Sequence, residues 1–130
     1  MRKLYIGCSL AQAPEEFIES IAILRKSLSE HFITLEFIGL KDSTVAKVFK
    51  HDIDCVKKCD VFLAECTYPS TGLGFEIATA HALNKKIIAV ALKGSKVSRL
   101  IQGISGKNFS FHWYKTHKEV LELVIKDALE

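Results

Sequence analysis

The sequence predicts a five-stranded parallel α/β sheet of Rossmann or flavodoxin type, with helices on both faces. Two observations carry this. Strand-like and helix-like apolar segments alternate along all 130 residues. Two of the strand segments, 61–64 and 87–92, are apolar without alternation, as in strands buried on both faces of a parallel sheet. The chain is short enough for one domain spanning 1–130, with no linker, repeat or low-complexity stretch.

The elements follow in order. Leu4, Tyr5, Ile6, Gly7 and Cys8 form a first strand. Pro14 opens a helix whose Glu15 and Glu16 suit its positive end, and Phe17, Ile21, Leu24 and Leu28 recur at helical spacing to about Glu30. Residues 33–38, β-branched and aromatic, make a second strand. Ser43 or Thr44 caps a helix carrying Val45, Val48, Ile53 and Val56 on one side, with a break near His51. After the third strand a turn-rich stretch, 68–74, leads into a helix that ends at Asn84. The strand at 87–92 is followed by a short helix at 97–104, a fifth strand at 109–113 and a closing helix at 118–129 with Val120, Leu121 and Val124 inward.

Composition excludes several classes. With 48% hydrophobic and 25% charged residues the chain can bury a core, so it is not a disordered protein. A net charge of +3, scattered along the chain, gives no footprint for nucleic acid. The apolar runs are far shorter than the ~20 residues of a membrane span, and the start lacks a secretory apolar stretch, so a cytoplasmic protein is expected. Cys8, Cys55, Cys59 and Cys66 lack zinc-knuckle spacing and read as reduced, packed thiols. The five histidines are scattered without ligand spacing, and no metal site or organic cofactor is called for.

Ligands of open parallel sheets bind beyond the carboxyl ends of the strands. That points to residues 7–13 after the first strand, including Cys8, Ser9 and Leu10, and to 65–74 after the third. Gly72 and Gly74 let backbone come close to a ligand, and the following helix offers N–H groups to an anion. Glu76 lies at the edge of the face holding Leu73, Ala80 and Leu83, leaning toward the sheet. Read as a first-turn residue held by the helix dipole, it stays ionised and suits a nucleophile or a stabiliser of positive charge at an anomeric carbon. A second carboxyl would protonate the leaving group. Asp52, Asp54, Asp60 and Glu65 are open candidates, Asp60 lying at the wrong end of its strand.

The run 52–65, followed by Pro69, Ser70, Thr71, Gly72, Leu73, Gly74, Phe75 and Glu76, resembles the nucleoside 2-deoxyribosyltransferase superfamily, and within it most the 2'-deoxynucleoside 5'-monophosphate N-glycosidases. Residues 4–9, 84–88 and 98–103 support the likeness. The resemblance implies a Glu76 nucleophile, Asp52 assisting proton transfer to the base, and Tyr5 orienting the nucleophile. It implies phosphate binding by Ser70, where the transferases carry an acidic residue, and by Ser98 from the neighbouring subunit of a homodimer. The hydrolases have a basic residue two positions after the serine matched by Ser9; here Ala11 stands in its place. The implied activity is hydrolysis of a (2'-deoxy)nucleoside 5'-monophosphate to free base and sugar phosphate. The alternatives are base exchange between deoxynucleosides, as in the transferases, and a nucleotide-binding sensor without catalysis.

Overall fold

A computed structural model describes residues 1–35 and 43–128. The elements are β1 (Lys3–Cys8), α1 (Glu15–Leu28), β2 (Ile33–Leu35), α2 (Val45–Lys58), β3 (Val61–Glu65), α3 (Thr71–Ala82), β4 (Lys86–Leu92), α4 (Arg99–Gln102), β5 (Phe109–Tyr114) and α5 (His117–Ala128). All strand pairs are parallel, in the order β2-β1-β3-β4-β5. This is the flavodoxin order, whose direction of winding reverses between β1 and β3. The predicted strand at 33–38 and helix at 118–129 each run partly outside the described residues. Among the described residues no helix is long and apolar enough to cross a membrane.

Strand alternation sorts the core into two layers. Leu4, Ile6, Val61, Leu63, Ile88 and Val90 meet Ile21, Leu24 and Leu28 of α1 and Val120 and Val124 of α5. On the other face Tyr5, Phe62, Ala64, Ile87 and Ala89 meet Cys55 and Val56 of α2 and Leu73, Ile77 and Ala80 of α3. Every residue of β3 is buried, as its unbroken apolar run requires. The four cysteines are free thiols.

Three expectations change. The helix carrying His51 is unbroken from Val45 to Lys58, capped by Thr44 Oγ1, which accepts from the Lys47 N–H at 3.2 Å. Val45 is not inward but 89% exposed, because the amino-terminal half of α2 overhangs a cleft instead of the sheet. The helix after β3 begins at Thr71, so Gly72 and Gly74 belong to it and not to a loop. Ser70 Oγ caps it, accepting from the Leu73 N–H at 3.1 Å. Its far end stops at Asn84, whose φ of 57° lies in the left-handed region that asparagine tolerates.

Gly7 fixes how closely α3 approaches β1. A Cβ there would meet Phe62 at 2.8 Å and Leu73 at 2.9 Å. Gly7→Ala is expected to cost about 1–3 kcal/mol of stability by overpacking, read as a lowered urea midpoint at unchanged slope.

Candidate active site

The switch point between β1 and β3 opens into a cavity of about 450 Å³, within the size range of small-molecule sites. Its floor is the end of β1 with Cys8 and Leu10. One wall is α2 with Phe49, Asp52 and Ile53, and the other is α3 with Gly72, Phe75 and Glu76. Two carboxyls from two helices thus face one cavity, over a lining that is otherwise apolar except at Ser70.

Glu76 is the sixth residue of α3, in its second turn, and no acidic residue occupies the first turn. The expectation of a dipole-held, readily ionised carboxylate is therefore corrected. Burial, opposed by the Tyr5 hydrogen bond and reinforced by the charge of Asp52, holds its carboxyl up at about 7. The Tyr5 hydroxyl donates to Glu76 Oε2 at 2.6 Å. Tyr5 is 1% exposed on β1, and burial together with the Glu76 charge drives its phenol far above the ordinary range, so it remains a donor. Asp52 is partly buried, with His51 Nδ1 3.6 Å from its Oδ1. The Cys8 thiol, pushed up to about 11 by burial and by the Glu65 charge, stays neutral beside them.

The remaining candidates separate by position. Glu65 is 1% exposed and faces the α1–α5 side of the sheet, away from the cavity. Its Oε1 accepts from the Thr67 N–H at 2.6 Å and its Oε2 from the Tyr114 hydroxyl, itself 3.2 Å from His117 Nε2. Strand parity explains this: Glu65 shares a face with Val61 and Leu63, whereas Tyr5's side carries Phe62 and Ala64. Asp60 Oδ2 accepts from the Lys3 N–H at 2.8 Å at the far end of the sheet. Asp54 does not line the cavity.

Among the predicted binding residues, Cys8, Leu10, Ser70 and Gly72 line the main cavity. Gly74 and Ser98 instead line an adjoining cavity of about 290 Å³, which shares Ser70 with the first and also holds Thr71 and Lys96. Ser9 lines neither and is 2% exposed. Its Oγ accepts from the Gln12 N–H at 3.3 Å and fixes the loop. Added Cβ atoms at Gly72 and Gly74 would meet nothing closer than 3.9 Å, so packing within the chain does not require glycine there. The sequence reading missed Phe49 and Phe75, both cavity residues. The signal was present, since Val45, Phe49 and Asp52 recur at helical spacing ahead of the buried Ile53 and Val56.

Sheet order and site together define a doubly wound α/β protein with a carboxylate-lined cleft at its switch point. No protein-family model matches the chain. A Thermofilum pendens protein bearing the name 2'-deoxynucleoside 5'-phosphate N-hydrolase 1 is 36% identical over 115 residues, 87% of this chain and 76% of that protein. The 5-hydroxymethyl-dUMP N-hydrolases of Danio rerio and Homo sapiens are 31% and 30% identical, over 64% and 68% of this chain. The chain spans only 59% and 54% of their lengths. Among solved structures, the Clostridium botulinum CMP N-glycosidase superposes with a TM-score of 0.73 at 25% identity, covering 95% of this chain and 98% of that one. The Leishmania mexicana deoxyribosyltransferase, at 14% identity and a TM-score of 0.68, shares the fold. The chain belongs to the 2'-deoxynucleoside 5'-phosphate N-hydrolase family, within the nucleoside 2-deoxyribosyltransferase superfamily.

Proposed function

We propose that the protein hydrolyses the N-glycosidic bond of (2'-deoxy)nucleoside 5'-monophosphates, releasing free base and sugar 5-phosphate. The observation that carries this is the pairing of Glu76, held by Tyr5, with Asp52 across one cavity. A Glu76 oxygen attacks C1' as the C1'–N bond breaks. The electron pair leaves with the base, which takes a proton from Asp52 directly or through water. A glycosyl ester on Glu76 results. Water then attacks C1', gives its proton to the Asp52 carboxylate and frees Glu76. Tyr5 orients the attacking carboxylate by its hydroxyl hydrogen bond. A positively charged, oxocarbenium-like sugar gains from two carboxyls in an apolar surround.

The 5'-phosphate lies at Ser70 and the amino end of α3, where the N–H groups favour an anion. Lys96, in the adjoining cavity, supplies the positive charge that Ala11 does not. The same reading makes the protein a one-domain homodimer with Ser98 contributed across the interface. Leu100, 81% exposed beside it, supports an apolar contact there.

The test is a panel of deoxynucleosides, deoxynucleotides and ribonucleotides scored for free base, with and without added adenine. Base release from monophosphates is expected. Base exchange instead would make the protein a transferase, and no release from any member would overturn the reading. Ser70→Asp separates two roles. Aspartate retains the helix cap, but its charge repels phosphate. The preference for monophosphate over nucleoside, read as the ratio of kcat/KM values, should fall by about tenfold or more.

A further inference from the structure

We propose that Phe49 and Phe75 form the platform on which the departing base stacks, and that this contact sets preference by the size of the base. The inference rests on the reading above and extends it to two residues with no role there. Phe49 is 57% exposed and Phe75 54% exposed, although both are large apolar rings. The two rings pack against each other in the cavity lining, with centroids 5.9 Å apart and planes inclined at 57°, so they present one joint apolar surface with no gap between them.

Their placement follows the bond being cleaved. C1' must lie at Glu76, and the phosphate end of the substrate points to Ser70, at the start of the same helix. The base therefore extends the other way, to where Asp52 can protonate it. Phe49 precedes Asp52 by one helical turn, and Phe75 adjoins Glu76 in the chain. A planar base entering there covers apolar ring surface that is otherwise exposed. Every base offers a π face, so such a contact tolerates many bases and favours the larger ring system.

Steady-state kinetics of the whole chain test this, with one purine and one pyrimidine deoxynucleoside monophosphate as substrates. Base-free 2-deoxyribose 5-phosphate serves as a competing ligand. Phe49→Ala and Phe75→Ala are each expected to raise KM for the purine substrate by about tenfold or more, and for the pyrimidine by less. Inhibition by the base-free sugar phosphate stays unchanged, and Phe49→Tyr and Phe75→Tyr, which keep the ring, raise the purine KM less than the Ala variants do. An unchanged purine KM, or an equal loss for the base-free ligand, overturns the platform. So does a variant whose only effect is an altered mass in sedimentation, since the rings would then be covered by a second copy of the chain. If the wild type releases no base at all, the parent reading fails by itself. Calorimetric binding of the purine monophosphate to wild type and to the Ala variants then decides the platform.

Discussion

Glu76→Gln is expected to cut base release by at least about a thousandfold and at the same time to stabilise the fold at pH 8. The first effect follows from removing the attacking oxygen while leaving binding and the remaining site in place. The second follows from the carboxyl being held up to about 7 by burial. Below the ordinary glutamate range both folded and unfolded chains carry the proton, and the folded state bears no penalty. As pH rises, the unfolded chain ionises first and stability declines. Above about 7 the folded carboxyl is ionised too, and the loss is complete. Glutamine never ionises, so the variant avoids that loss. With the cleft open to water, the gain is about 1–2 kcal/mol at pH 8 and vanishes near pH 4. Urea unfolding at both pH values, beside a base-release assay, measures both effects. Turnover within tenfold of wild type would remove Glu76 from the role of nucleophile.

Asp52→Asn and Tyr5→Phe should move the pH profile in opposite directions. On the proposed mechanism the reactive form of Glu76 is ionised, so Glu76 gives kcat/KM of the wild type a rising limb up to about 7, and the proton that Asp52 must deliver gives it a falling limb. Asparagine at 52 removes a like charge that raises Glu76, so the rising limb moves to lower pH. It also removes the proton donor, and turnover falls by about 10²–10⁴-fold. Phenylalanine at 5 removes the hydrogen bond that favours ionised Glu76, so the limb moves to higher pH. The two shifts of opposite sign distinguish direct coupling to Glu76 from general damage to the fold. Shifts in the same direction would sink the electrostatic account.

Much of this fold was legible because burial on both faces leaves no choice of pattern. Residues 61–64 and 87–92 could only be central strands, and they lie in the middle of the sheet as β3 and β4. The caps were legible in part, since Thr44 and Asn84 sit where helices begin and end. Glycine misled the reading at α3. Gly72 and Gly74 looked like a loop, but the Ser70 cap and the burial of Leu73 and Ile77 outweigh the roughly 1 kcal/mol that each glycine costs a helix. Placing the helix start late put Glu76 in the first turn and led to the wrong electrostatics. Side-chain parity along β3 could have removed Glu65 as a partner for Glu76. The neighbourhood of Asp52 was out of reach, because it depends on how α2 lies across α3, a contact between residues distant in sequence.

That contact has a mechanical consequence. The two acids ride on separate rods, and the packing of Cys55 and Val56 against Ile77 and Ala80 fixes the gap between them. The phenol of Tyr5 ties down only one. On the proposed mechanism, trimming that seam would leave a chain that still folds and admits its ligand, while a changed span between its acids would slow the reaction.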